Sequence, residues 1–429
     1  MKLITGVVGQ TRAIGWAALL AAVATIGLAA SVAADAPAGS APGATPQGMS
    51  RAAVRQQAEA LATLGRALFF DPSLSSSGQV SCSTCHDPAH AFGPPNALAV
   101  QLAGTDMLQP GVRAAPSLKY LQAVPPFTEH FFESEDDADE SIDNGPTGGL
   151  TWDGRSDRGR DQAGFPLMSP FEMGNKSKDE VAHRMLDGGY GDRIAAIAGP
   201  ESAKNPALVY QTAVDALEAY EQDFRTFYPY SSKYDAFLAG KATLTKEETR
   251  GLELFNAPDK GNCASCHVSE RGLDGTPPQF TDYGLIALGV PRNPDIPANK
   301  DPNYFDLGLC GPLRTDFLGR HEYCGLFRTP TLRNVALRQT FFHNGVFHTL
   351  RQAVEFYVER ETDPGRWYAK KPDGSVNKYD DLPDYAKTNI NTDPPFDRKP
   401  GDAPALSSSE VDDVVAFLGT LTDGYTPTP

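Results

Sequence analysis

Two stretches of this chain share one spacing: "SCSTCH" at Ser81–His86 and "NCASCH" at Asn262–His267. They hold four of the six cysteines. Cys-x-x-Cys-His suits covalent haem attachment. Each thiol adds across a vinyl group, two intervening residues let both sulfurs reach one porphyrin edge, and the adjacent histidine falls beneath the iron as axial ligand. Cys82, Cys85 and His86 would hold one c-type haem, and Cys263, Cys266 and His267 a second. A zinc site or a redox disulfide is the alternative use of such pairs. The chain has 429 residues, too long for a single hydrophobic core. Two haem units in such a chain read as two domains.

The surroundings of the two motifs repeat as well. "GRALFFDP" at Gly65–Pro72 echoes "GLELFNAP" at Gly251–Pro258. Before the first motif, Leu61, Leu64, Leu68 and Phe69 recur on one helical face that begins near Arg51. Before the second, Thr245 and Glu248 stand in capping-box spacing, and Leu252 and Phe255 follow three apart. A last helix is expected after Ser407 and Glu410, with Val411, Val414, Val415, Leu418 and Leu421 as its apolar stripe. No sustained period-2 run stands out. The expected class is mainly α, with long loops rich in Gly and Pro. The haem domains are expected over 53–240 and 241–429, joined near residues 230–245.

The N-terminus reads as an export signal over residues 1–34. Lys2 and Arg12 precede the apolar run Ala13–Ala34, and small residues suit cleavage before Asp35. An uncleaved membrane anchor is the alternative, since the run is long enough to span a bilayer. Residues 35–52 form a low-complexity linker. Export to the periplasm favours c-type haem over zinc, because that haem is attached outside the cytoplasm. It also predicts a disulfide between Cys310 and Cys324, worth roughly 3 kcal/mol for a loop of this size; two buried thiols are the alternative. The formal charge of -16 disfavours nucleic acid and anionic membrane and suits a basic partner.

Downstream of each motif lie candidates for the far side of each haem. Thr349 and Gln352 begin a helix in which Leu350, Ala353, Val354, Tyr357 and Val358 share one face. This points Tyr357 inward and Phe356 away. A tyrosinate on iron and a core tyrosine both fit that spacing. After the first motif, Trp152, Gln162 and Glu172 stand at intervals of ten. Glu172, among Phe171, Met173 and Met168, would have a raised pKa and pass a proton between peroxide oxygens. Gln162 would hold peroxide, and Trp152 would relay an electron. Structural roles for all three remain open at this point.

Together, "LGRALFFDPSLSSSGQVSCSTCHDP", "RAAPSL", "WDGR", "FRTPTLRNVAL" and "FFHNG" resemble the bacterial di-haem cytochrome c peroxidases and their MauG-type relatives, from about residue 60 to 422. The resemblance implies two cytochrome c-like helical domains, each with one covalent haem. His86 would serve the peroxide-reacting haem and His267 the electron-entry haem. Trp152 would lie between them, and Gln162, Pro166 and Glu172 would form the distal pocket. Tyr357 would be the sixth ligand of the second haem, as in the MauG-type branch, where the peroxidases have methionine.

Three features depart from the family pattern. The loop "NALAVQLAGTDMLQPGV" has no distal histidine, so the first haem is expected to be open at all times, with Met107 the one soft ligand the loop offers. Ala114 stands where an Asn would help bind an interdomain calcium ion, although the carbonyls of Arg338 and Thr340 would remain. An acidic insertion spans 127–149, either a solvated loop, a docking face for a basic electron donor, or a cation site. His343, in the family's His-x-Gly turn, reads as structural.

The leading expectation is a peroxidase that reduces hydrogen peroxide with electrons from a small c-type cytochrome or cupredoxin. The alternatives are a MauG-like oxidase that modifies residues of a partner protein, and a non-enzymatic electron carrier. A homodimer is implied at family level only.

Overall fold

The structure is a computed structural model that describes residues 50–131, 145–272 and 274–427. The signal segment, most of the linker and the acidic run Glu133–Asp143 lie outside the described residues. Among those described, the elements are helical, apart from two two-stranded ribbons. The helices are α1 (Arg51–Phe69), α2 (Cys82–Cys85), α3 (Gly159–Met168), α4 (Lys178–Asp187), α5 (Gly191–Ala198), α6 (Pro206–Glu221), α7 (Phe224–Phe227), α8 (Lys233–Leu238), α9 (Lys246–Asn256), α10 (Leu350–Glu359), α11 (Pro364–Trp367) and α12 (Ser408–Gly419). The ribbons pair β1 (Leu102–Ala103) with β2 (Gln109–Pro110), and β3 (Leu285–Ile286) with β4 (Phe327–Arg328), both antiparallel.

Helix starts follow side-chain chemistry. Ser50 caps α1, and Thr245, Thr349 and Ser407 form capping boxes with Glu248, Gln352 and Glu410 at the starts of α9, α10 and α12. Each satisfies backbone N–H groups that the first helical turn leaves without partners.

The repeat seen in the sequence is a repeat of packing. In the first half α1 crosses α6, and in the second α9 crosses α12. At each crossing a glycine lets the backbones touch. A Cβ on Gly65 would lie 1.8 Å from the Ala216 carbonyl oxygen, and one on Gly251 would lie 2.0 Å from that of Asp413. The rings behind the crossings also correspond. Phe69 meets Phe92 and Tyr220, and Phe255 meets Phe280 and Phe417. One core gathers residues from Leu64 to Phe227, and the other from Tyr234 to Leu421. A smaller cluster holds the disulfide between Cys310 and Cys324.

These crossings yield a stability prediction. Gly65→Ala and Gly251→Ala should each destabilise by about 3 kcal/mol, since a carbonyl must move to admit the methyl. Gly419→Ala is the control. Its Cβ meets nothing within 4 Å, so the change should be neutral or stabilising by about 0.5 kcal/mol. Thermal unfolding of the three variants checks this.

Helix α10 departs from the expected one-sided stripe. Tyr357 does face the interior, but Phe356 is fully buried too. Phe356 packs edge-on against Phe342 and Trp367, so α10 is covered on two faces. The stripe pattern missed this because α10 lies between core layers and not at a surface.

Candidate active site

The two Cys-x-x-Cys-His units are held in matching frames. In the first, the His86 N–H closes the α2 turn on the Cys82 carbonyl at 2.9 Å. Its Nδ1 lies 3.0 Å from the Phe92 carbonyl oxygen. Ala91 and Phe92, both at φ 54°, take the left-handed turn that leads into this contact. In the second, the His267 N–H bonds the Cys263 carbonyl at 2.8 Å, and Nδ1 lies 2.8 Å from the carbonyl of Phe280, which has φ 53°. A carbonyl only accepts, so each Nδ1 carries the proton and each Nε2 keeps a lone pair for a metal. Burial lowers both imidazole pKa values and keeps the rings neutral.

Beyond these frames the sites differ. The cleft beside Cys82, Cys85 and His86 is walled by Gln162 and Pro166 of α3 and by Glu172 just after it. Burial pushes the Glu172 carboxyl up, while the Arg155 charge pulls the other way. The second motif opens into a cavity of about 530 Å³, in the size range of cofactor pockets. Cys263, Cys266 and His267 line it, as does Tyr357. The Tyr357 ring is stacked between Phe342 and Phe396, 5.8 and 5.6 Å away. Burial raises its phenol pKa, against which the nearby Arg360 charge acts.

The second cavity has the room and the donors for a haem; the cleft beside His86 is only about 50 Å³, and there the donor set, two thiols and an oriented imidazole, is what suits one. Arg328, a buried guanidinium whose Nε donates to the Thr151 carbonyl, adds positive charge suited to the acidic edge of a porphyrin.

Trp152 also lines the large cavity. Its indole N–H donates to the Ala114 carbonyl at 2.8 Å, and its own carbonyl accepts from Arg328 N–H at 2.8 Å. The neighbouring Asp153 fixes this loop. Fully buried, it pairs with Arg113 at 2.7 Å and Arg155 at 2.8 Å. Burial alone would raise its carboxyl, but the two guanidiniums hold it low.

The family profile of the di-haem cytochrome c peroxidases matches residues 59–243. The methylamine utilization protein MauG of Paracoccus denitrificans is 34% identical over 383 residues, covering 85% of this chain and 89% of that protein. This chain belongs to the di-haem cytochrome c peroxidase and MauG family. The cytochrome c551 peroxidase of Nitrosomonas europaea is 27% identical, over 69% of this chain and 72% of that protein. The crystal structure of the diheme peroxidase BthA from Burkholderia thailandensis superposes with a TM-score of 0.75 at 41% identity, covering 85% of this chain and 86% of that one. The fold is the family's mainly helical one.

Other candidates settle differently. Met107 is not among the residues that wall the His86 cleft. Its sulfur accepts the Ser77 hydroxyl at 3.7 Å, and its side chain packs on the first core. The loop carrying it is folded back by the β1–β2 ribbon. His343 stacks on Phe327 at 3.5 Å between ring centres, and burial pushes its pKa down to about 3. His130 is exposed, 3.7 Å from Glu129.

Sequence reasoning missed Glu221, the last residue of α6. It walls the His86 cleft, and burial pushes its carboxyl up to about 8. Nothing in "EAYEQD" marks it out. Folded Glu221 binds its proton more tightly than the unfolded chain does. Its contribution to stability is therefore full below the ordinary glutamate range and is lost as pH rises through about 8. Unfolding midpoints measured from about pH 5 to about pH 9 should fall across this window, and Glu221→Gln should remove that part of the slope.

Proposed function

We propose that this enzyme reduces hydrogen peroxide to water with electrons from a small redox protein, and that its two haems are attached covalently at Cys82/Cys85 and Cys263/Cys266. The observation that carries this reading is an asymmetry. Two like histidine frames face unlike walls, a carboxyl and an amide beside His86 and a phenol beside His267. One wall handles protons and the other offers a ligand, which supports peroxide chemistry in 53–240 and electron entry in 241–429.

A bound haem supplies the iron that takes peroxide and stores electrons. The chain does the rest. The Gln162 amide orients peroxide by hydrogen bonding. Glu172 takes the proton from the near oxygen and returns it to the far one, so that the leaving group departs as water. Pro166, at a helical position without an N–H, keeps this wall apolar. Trp152 lies on the path between the halves. Each peroxide takes two electrons and two protons and gives two waters.

The acidic surface suits a basic electron donor. The export signal favours the periplasm, and among the described residues no helix is long and apolar enough to cross a membrane. Mixing the purified enzyme with a reduced small cytochrome and peroxide tests the reading. Two donor equivalents should be oxidised per peroxide consumed; a donor that stays reduced while peroxide persists would overturn it.

A second reading, oxidation of residues on a partner protein, keeps the same sites and is favoured by the Tyr357 wall. It predicts that the fully oxidised enzyme reacts with peroxide before any electron is supplied.

A further inference from the structure

The two residues Ala114 and Ala115 join the two halves. The Ala114 carbonyl takes the Trp152 indole N–H at 2.8 Å, and the Ala114 N–H donates to the His343 carbonyl at 2.7 Å. The Ala115 carbonyl takes Arg338 Nη2 at 3.2 Å. Arg338 Nε donates to the Thr340 carbonyl at 3.1 Å. The third nitrogen, Nη1, lies against Gly93, where a Cβ would stand 3.6 Å from it. One guanidinium from the second half thus reaches the loop that carries the Phe92 carbonyl, the anchor of His86. Among the described residues, Arg338 makes no ion pair with a carboxylate, although burial pushes its pKa down to about 10. The hydrogen-bond partners of this charge are carbonyl oxygens from both halves, and the guanidinium also lines the large cavity.

This arrangement does not fit a calcium ion between the halves. Calcium takes six to eight oxygen ligands, carboxylates prominent among them. Here Ala114 offers no side-chain oxygen. Of the two carbonyls left for the ion, that of Thr340 already accepts from the guanidinium, and that of Arg338 by itself falls far short of six ligands; the Ala114 carbonyl accepts from an indole. No group of three or more acidic, His or Cys side chains suited to a metal occurs among the described residues.

We infer that the Arg338 guanidinium is the resident cation between the two haem sites, and that it takes the place of a divalent ion there. It ties the Trp152 segment to the His86 loop and adds a fixed positive charge beside the first haem site. The enzyme needs no calcium. The inference is independent of the substrate, so it stands or falls apart from the peroxidase reading.

The test uses the purified holoenzyme. After EDTA treatment, exposure to calcium chloride and desalting, elemental analysis should find well under one calcium per chain, and the absorption spectrum should not respond to either treatment. One retained calcium per chain, or a spectrum that EDTA changes and calcium restores, would overturn the inference. A second arm follows the charge. Arg338→Met should shift the reduction equilibrium of the haem at Cys82 and Cys85 about tenfold toward the ferric form, which is 59 mV for one electron. Arg338→Lys should restore most of that shift. An unchanged potential in a folded Met variant would equally overturn it. Should the Met variant fail to fold, the calcium measurement on the unaltered enzyme still decides.

Discussion

Replacing Glu172 by glutamine is expected to lower peroxide turnover by roughly two to four orders of magnitude, the usual contribution of a positioned acid–base group. Glutamine keeps the shape and one acceptor but cannot take a proton. Glu172 walls the same cleft as His86, with Gln162 and Pro166 beside it. The pH profile makes the test sharper. The carboxyl must be ionised to accept the first proton, and burial raises its pKa above the ordinary glutamate range. Turnover should therefore climb with pH through that raised value, and the climb should be absent from Glu172→Gln. Steady-state rates with excess reduced donor, beside an absorption spectrum showing the haems retained, give both readouts. A variant with near-normal turnover and an unchanged pH profile would remove Glu172 from this role.

Much of the site was legible because its signals are local. The Cys-x-x-Cys-His units, the capping boxes at Thr245, Thr349 and Ser407, and the echo of "GRALFFDP" in "GLELFNAP" each lie within a few residues of chain. The echo has a physical cause in Gly65 and Gly251, where two helix backbones approach too closely for any side chain. The unread parts are contacts between distant segments. Asp153 looks like a turn residue in "WDGR", yet it is fully buried and holds Arg113, which also binds Asp306 at 2.6 Å. Arg338 stands out in the sequence for its carbonyl alone, and only the fold brings its guanidinium to the Ala115 carbonyl. Phe356 misled because helical periodicity assumes one buried face. Met107 is a candidate by its chemistry alone, and the β1–β2 ribbon directs it to Ser77.

The largest spectroscopic effect should come from Tyr357→Met. A phenol facing iron must lose its proton to ligate it, and burial alone opposes that loss. The charge of a bound ferric iron would reverse the balance, as metal ions do for coordinating groups, and Arg360 acts in the same sense. Arg360 is fully buried and lies 3.6 Å from the centre of the Phe396 ring, which also stacks on Tyr357. An anionic phenolate favours the ferric state, whereas a neutral thioether favours the ferrous one. Tyr357→Met should therefore raise the potential of the haem at Cys263 and Cys266 by a few hundred millivolts, within the roughly 0.8 V that axial ligands span. Tyr357→Phe should leave that iron without the sixth ligand and turn its ferric signal high-spin. A redox titration followed by electron paramagnetic resonance separates the two haems and reads both variants. If neither the potential nor the spin state moves, Tyr357 is a core residue between Phe342 and Phe396, and the second haem takes its sixth ligand elsewhere.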